Sequence, residues 1–173
     1  YIVGPNVDLS SVDLSGFNLS GIDISEANLF RVSGRLAYMA NLLPNGYDHR
    51  NNYIVGPNVN LVGADLSGVN LTGLNISGAD LSGADLTNVY GQLANVSDAT
   101  LPTGYFFRNN YIVGPNVNLS AANLTGYSLA GLDISGADLS GANLTNIYGQ
   151  LGNDSGAKLA PSYLFQNKYI VGP

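Results

Sequence analysis

Apolar residues recur at every fifth position over most of the chain. From Asn60 to Asn88 an aliphatic residue occupies each fifth position, and a small or aliphatic residue stands two positions before it. A helix requires a period of 3.6 and a half-buried strand a period of two, so neither explains the pattern. A short extended step that buries two side chains does explain it, because the intervening Ser, Gly, Asn and Asp favour tight turns. The pattern therefore predicts a chain coiled around a narrow apolar axis, a β-solenoid.

The same spacing identifies the side chains that should line this axis. We predict a core ladder made of the fifth-position residues of two tracts. Its members are Leu61, Leu66, Leu71, Ile76, Leu81, Leu86, Leu119, Leu124, Leu129, Ile134, Leu139 and Leu144.

The amino-acid sequence of the five-residue units is similar to that of a known family. Ala-Asp-Leu-Ser-Gly at 64–68, 79–83 and 137–141, with Ala-Asn-Leu-Thr at 122–125 and 142–145, resembles the pentapeptide-repeat proteins. The resemblance implies an all-β fold, a right-handed quadrilateral β-helix with four pentads per coil. It also implies that two positions of each pentad point inward, and it covers three tracts separated by irregular coils or turns.

A longer repeat overlies the pentads. The sequence Tyr-Ile-Val-Gly-Pro begins at Tyr1, Tyr53, Tyr111 and Tyr169. We therefore expect one continuous solenoid built from repeats at 1–52, 53–110 and 111–168, with 169–173 starting a fourth. The first repeat lacks one pentad.

The irregular segments between tracts keep part of the five-residue phase. In the second repeat the phase continues through three predicted inward pairs, Val89/Gly91, Ala94/Val96 and Ala99/Leu101. It breaks near 102–104, where we expect a turn or short hairpin, with Gly46, Gly104 and the neighbouring prolines suited to the turn.

Composition limits which covalent links and metal sites the protein can have and bears on its location. The chain has 173 residues, a net charge of −6 and no cysteine, so it has neither disulfides nor thiolate metal sites. No run approaches the ~20 apolar residues of a membrane-spanning helix. Because the chain opens and closes on the same five residues and lacks an initiating Met, we interpret it as a piece of a longer array. We expect an extracellular or cell-surface location, with any signal peptide outside this piece.

Neither terminus resembles the capping repeat that usually covers a solenoid end. We therefore predict that the ends pack on adjoining repeats of a parent chain or on another copy, end to end or laterally. The candidate assembly ends are Tyr1, Ile2, Val3, Tyr169, Ile170 and Val171. Cations fall in the irregular segments and most acids in the tracts. This banding either steers packing between rods or reflects only the preference of Asp for turns.

Aromatic and basic residues cluster before each return of the long repeat. They form a candidate interface for a partner, or they pack the irregular coil against the solenoid. The residues are Tyr105, Phe106, Phe107, Arg108, Tyr163, Phe165 and Lys168.

Catalytic chemistry is not indicated. The single histidine, His49, has no counterpart in the other repeats, so we predict no catalytic residues, no metal site, no cofactor and no enzymatic activity. Asp65 and Asp85 should stack on successive coils, but the Gly-rich calcium-binding repeat pattern is absent.

Three candidate functions are compatible with the sequence. The first is a structural segment of a secreted or surface bacterial protein, acting as a rigid stalk, adhesin shaft or self-assembling fibre. The second follows from the family resemblance, since some members bind DNA gyrase as acidic mimics of duplex DNA; those rods dimerise through a terminal helical element that this sequence lacks. The third is an ice-binding or surface-binding hydroxyl face, formed by Ser67, Thr72, Ser77, Ser82 and Thr87. We expect no binding of nucleic acid itself.

Overall fold

The computed structural model describes residues 6–39 and 42–172, so the predicted ends Tyr1, Ile2 and Val3 lie outside the described residues. Within those ranges the fold is all-β and contains no helix. The strands are β1 (Asp48–Arg50), β2 (Tyr53–Val55), β3 (Phe106–Arg108), β4 (Tyr111–Val113), β5 (Asp138–Leu139), β6 (Lys158–Leu159), β7 (Leu164–Gln166) and β8 (Tyr169–Val171).

Contacts divide the chain into two compact units. The first contains the chain through Leu66 together with Leu74–Asp85 and Leu93–Pro102. The second contains Ser67–Gly73, Leu86–Gln92 and the chain from Thr103 onward. The division runs through the second sequence repeat.

Both units are built from coils of twenty residues. In the first unit Asn60 forms a parallel bridge with Asp80, and in the second Asn118 forms one with Asp138. Strands β5 and β6 continue the same pairing, with Asp138 opposite Lys158. A separation of twenty residues between paired positions corresponds to four pentads in each coil. The extended stretches are short because each pentad must turn again after about two residues.

The predicted core ladder lies in the interior of both units. None of its twelve residues exposes more than 2% of its surface. The partner positions Val59, Ala64, Val69, Ala79 and Ala84 are also buried. No polar or charged residue is buried among the described residues, so the interior of each unit is apolar.

Asn and Asp side chains hold the turns between these inward steps. Asp13 Oδ1 accepts hydrogen bonds from the backbone N–H of Ser15 at 2.9 Å and from its hydroxyl at 2.6 Å. Asn118 Oδ1 receives the same two bonds from Ser120, at 3.0 and 2.7 Å. Gly68 then adopts the left-handed conformation, with φ 68°, that a side chain would strain. The polar positions of the pentad are therefore explained by turn chemistry.

One predicted inward pair is wrong. Ala94 is exposed, and Leu93 beside it is buried with 2% of its surface accessible. Asn95 still bridges Asn75, so the backbone keeps its register while the inward side chain shifts by one position. The shift follows Gly91, whose φ of 102° is a backbone conformation that most residues avoid. Val96, Ala99 and Leu101 are half-buried.

In residues 6–39 and 42–172 the structure has no helix of the length and apolarity that a membrane crossing needs.

Candidate interaction site: the repeated hairpin and the terminal strand

Each long repeat ends in an antiparallel hairpin with the same register. Arg50 lies opposite Tyr53, Arg108 opposite Tyr111, and Gln166 opposite Tyr169. Both residues of every two-residue loop have positive φ: Asn51 and Asn52 (47° and 66°), Asn109 and Asn110 (49° and 59°), Asn167 and Lys168 (49° and 64°). Two consecutive positive φ angles define the type I′ turn, whose twist matches the flanking strands, and Asn is favoured there.

The turn predicted near 102–104 is present at Thr103 and Gly104, and a hairpin whose loop lies at 109–110 follows it. Gly104 has a φ of 91° and belongs to a separate turn that precedes β3. The sequence signal that identifies the true loop is the Asn-Asn pair between two aromatic or β-branched runs.

In the first and third repeats the hairpin loop docks on a Gly-x-Leu segment of the same unit. In the third repeat the backbone N–H of Leu151 donates to the Lys168 carbonyl at 2.8 Å, and Gln150 Nε2 donates to the Asn167 carbonyl at 3.2 Å. In the first repeat Leu36 N–H donates in the same way to the Asn52 carbonyl at 2.8 Å. The leucine of this segment is buried in all three repeats, so the loop is fixed to the wall of the coil.

The glycine of this segment allows the close approach. A Cβ on Gly91 would lie 2.6 Å from the backbone nitrogen of Thr72, and one on Gly149 would lie 2.6 Å from that of Ala130. Both glycines also have φ near 100°. The contact that requires the glycine is visible only in three dimensions.

A tyrosine closes the base of each hairpin. The ring of Tyr105 packs directly on Gly114, and its hydroxyl donates to the Pro115 carbonyl at 3.2 Å. Tyr47 makes the equivalent bond to Pro57 at 3.2 Å, and burial raises the pKa of its hydroxyl. The tyrosine of the predicted aromatic interface in the second repeat is therefore a structural contact within its own hairpin.

The remaining aromatic and basic residues of that predicted interface also lie on the hairpins. Phe106 is 43% exposed, and the Arg108 guanidinium lies over its ring at 5.7 Å from the centroid. Arg108 Nε donates to the Ser128 carbonyl at 3.0 Å, and Lys168 Nζ donates to the Gly152 carbonyl at 2.8 Å. The structure brings together Tyr105, Phe106, Phe107 and Arg108 on one hairpin and Tyr163, Phe165 and Lys168 on another. Phe107, Tyr163 and Phe165 are half-buried.

The predicted assembly residues Tyr169, Ile170 and Val171 form β8, and β8 is more exposed than its counterparts. Tyr169 is 44% and Val171 41% exposed, whereas Tyr111 is 9% exposed and Val113 fully buried. Strand β4 is followed by a pentad coil that begins at Asn116.

The first residues of that following coil make specific backbone bonds. The N–H of Asn88 donates to the Asn116 carbonyl at 2.6 Å, and the N–H of Asn118 donates to the Val89 carbonyl at 3.0 Å. The first unit repeats the arrangement in two bonds, Arg31 N–H to Asn58 at 2.7 Å and Asn60 N–H to Val32 at 2.9 Å. We call this four-residue contact the junction. Sequence reasoning missed it.

Several carboxylates of the pentad tracts hold turns. The Ser140 hydroxyl and backbone N–H lower the pKa of Asp138, and the same groups of Ser82, with a smaller contribution from the charge of Arg31, lower that of Asp80. The described part of the chain contains no group of three or more metal-ligating side chains. His49 is exposed, with Nδ1 3.9 Å from Asp48.

Comparison with known families gives one match. A profile described as Pentapeptide repeats matches the chain in eight copies, over residues 6–32, 58–88 and 116–147, which is just over half of the chain. The matched segments are the pentad tracts; the first two hairpins lie between them and the third follows the last tract. Comparison with curated proteins returns no match.

Proposed function

The chain belongs to the pentapeptide-repeat family, and on that premise we propose that it is a structural segment of a secreted or cell-surface bacterial protein. In this role it serves as a stiff stalk, adhesin shaft or end-to-end fibre. We also propose that its coils follow the right-handed, square-sided path that the family resemblance implies.

One observation carries this proposal: the junction is made from the same contacts each time it occurs. Asn88, Val89, Asn116 and Asn118 repeat the bonds of their counterparts in the first unit within about 0.1 Å. Because each repeat ends in the surface on which the following repeat packs, a further repeat can be added without changing the contacts of the existing ones. Stability in such arrays is approximately a sum over units and their interfaces. Additive stability of this kind is suited to a spacer, which functions by holding other parts of a protein at a fixed distance.

The two other candidate functions have less support. Within the predicted hydroxyl face, the Ser82 hydroxyl hydrogen-bonds to Asp80 of its own turn, which leaves it less available to a bound surface. Arg31 adds a positive charge beside Asp80, which weakens an unbroken acidic stripe of the kind a DNA mimic presents.

Scattering measurements test the spacer function. We would compare the chain with a variant in which residues 53–110 are duplicated. Each added repeat contributes between two and three coils of about 4.8 Å. The expected result is a fixed increment in the longest dimension with an unchanged cross-section. An increase in cross-section without an increase in length would contradict the spacer function, and inhibition of gyrase supercoiling by the purified chain would favour the DNA-mimic alternative.

Location requires a separate measurement. We expect antibody against the chain, and external protease, to reach it on intact cells that make the parent protein. Protection until the cells are lysed would contradict the surface assignment.

A further inference from the structure

A groove opens beside the glycine of the Gly-x-Leu segment in each of the first two repeats. We propose that these two grooves, one beside Gly34 and one beside Gly91, bind neutral carbohydrate. Each groove is lined by residues of a single unit. The inference goes beyond the spacer function and does not depend on it.

The hairpin explains why a groove opens at this place. In a regular pair of coils the pentad glycine bonds to the next coil, as the Gly63 N–H does to the Ser82 carbonyl at 3.0 Å. Leu36 stands at the equivalent position of its coil, opposite Gly16, but its N–H donates to the Asn52 carbonyl of the hairpin loop at 2.8 Å. The segment is therefore held by the loop, and open space separates it from the tract that follows.

The first groove has a volume of about 330 Å³ and is open to solvent. Its lining includes the half-buried ring of Tyr53 and the exposed side chains of Arg35 and Val62. The turn formed by Asp13 and Ser15 also borders it. An aromatic ring, a guanidinium group and a hydroxyl therefore face the same space.

The second groove repeats the first in the next unit, with a volume of about 230 Å³. Tyr111 takes the place of Tyr53, and the exposed Gln92 takes that of Arg35. Tyr90, which is 43% exposed, adds a second aromatic ring. Because the groove occurs at the same place in two repeats, it is a property of the repeat.

The residue types that line both grooves suit a ligand rich in hydroxyl groups. Tyrosine offers a rigid contact surface at little cost in conformational entropy, and Ser, Asn and Gly offer adaptable hydrogen bonding. The negative face of an aromatic ring also attracts the C–H groups of a sugar ring. The volumes lie near the lower end of the range for small-molecule sites, so each groove accommodates a short stretch of a sugar chain.

The charges indicate that the ligand is neutral. Asp13 and Arg35 are the charged residues that line the first groove, and their charges are opposite. The second groove is lined by uncharged residues. A charged ligand would lose its hydration there without gaining a charged partner in the second groove.

The state of the backbone favours a sugar over a peptide strand. The Ser15 N–H donates to Asp13 Oδ1 at 2.9 Å, and the Thr72 N–H donates to Asn70 Oδ1 at 2.9 Å. A peptide that adds to a sheet edge depends on main-chain groups of this kind. Side chains must therefore supply the hydrogen bonds to a ligand, and a sugar can use them through its hydroxyls.

Nuclear magnetic resonance of the isotope-labelled chain tests the proposal. We would titrate the chain with neutral hexasaccharides of glucose, galactose, mannose and N-acetylglucosamine. At least one of them should shift the amide signals of Gly34 and Gly91, with two sites per chain. A Gly-Ser peptide of similar length should shift neither signal.

Loss of an aromatic ring identifies the second site. Tyr90→Ala should weaken sugar binding at Gly91 by about tenfold and leave the response at Gly34 unchanged. Tyr38→Ala is the matched control, because Tyr38 is 63% exposed and is also paired with an asparagine of the adjoining coil, but it lines neither groove. This control should bind sugar as the wild type does.

Loss of the guanidinium group identifies the first site. Arg35→Ala should weaken binding at Gly34 by about fivefold and leave the response at Gly91 unchanged. Arg31→Ala removes another exposed arginine of the same unit that does not line this groove, so it should have no effect. Circular dichroism verifies that all four variants fold.

Three results would each overturn the proposal. They are the absence of a response to every hexasaccharide, equal losses from Tyr90→Ala and Tyr38→Ala, and a response to the peptide instead of the sugars. None of them affects the spacer function, which duplication of residues 53–110 tests separately.

Discussion

The pentad tracts and the hairpins solve the same problem of pairing a short strand in different ways. In a tract, Leu61 donates its N–H to Asp80 in the adjoining coil at 2.7 Å, so a strand of one or two residues is paired only because its neighbour exists. In a hairpin, β3 pairs with β4 across a loop of two residues and supplies its own partner. The tract depends on distant neighbours, whereas the hairpin depends on its own loop and on a docking site.

This difference changes what each region demands of its sequence. In a tract, burial of an aliphatic side chain at one column is sufficient, and Leu or Ile occupies that column throughout the core ladder. In a hairpin coil, particular backbone conformations are required at Gly91 and at the Asn109–Asn110 loop. Tracts should therefore be sensitive to lost volume, and hairpin coils to an added Cβ.

The largest expected effect is a loss of volume in the tract. Leu81 is 1% exposed, and Leu81→Ala should destabilise the protein by about 2–5 kcal/mol through lost burial and a residual cavity. Denaturant unfolding followed by circular dichroism measures this change. Val62, at 56% exposure, is the control, and Val62→Ala should change stability by less than about 0.5 kcal/mol. Similar losses for the two variants would show that the column is not the source of tract stability.

A smaller effect is expected from a methyl group in the hairpin coil. Gly91→Ala combines a strained φ with a contact on backbone that cannot move aside, and we expect a loss of about 2–3 kcal/mol. Gly104 has a similar φ of 91° but no atom within 4 Å of an added Cβ. Gly104→Ala should therefore lose only the conformational part, about 1–2 kcal/mol. The difference between their unfolding midpoints isolates the close approach, and equal losses would mean that docking is loose.

The smallest effect is a pH dependence to which the carboxylates of the tracts contribute. The Ser140 hydroxyl and N–H hold the pKa of Asp138 below the ordinary value of about 3.9. A lowered folded-state pKa gives stability that is present above the unfolded-state value and is lost as the pH falls through the folded-state value. The unfolding midpoint should therefore decrease below about pH 4.

Asp138→Asn isolates this contribution. The amide oxygen keeps the acceptor, as Asn118 Oδ1 does for Ser120. The variant should show a smaller decrease in midpoint on acidification than the wild type. The hairpin of the third repeat contains no carboxylate, so it should contribute nothing to the decrease. An unchanged acid sensitivity would contradict this assignment.

Sequence alone predicted the tract in detail and the hairpin only in outline. The family assignment and the all-β fold were correct. Every pentad repeats the same pattern of inward and turn residues, so a deviation in one pentad does not change the prediction for the next. At Ala94 the prediction was wrong, because the five-residue pattern continues in the sequence while Gly91 redirects the side chains. The turn near 102–104 was predicted correctly from its glycine and proline, but the hairpin loop at Asn109 and Asn110 that follows it was not located.

The sequence by itself thus determined which side chains enter the interior, since a column of aliphatic residues at a fixed period has only one way to avoid water. Tertiary structure alone decided where the hairpin loops dock and why Gly91 must lack a side chain. These features depend on residues that approach one another although they are 17 to 29 positions apart in the sequence, as Gln92 and Asn109 or Val89 and Asn118 do. No local pattern records such distances, because the inserted hairpin changes the spacing that the pentads would otherwise impose.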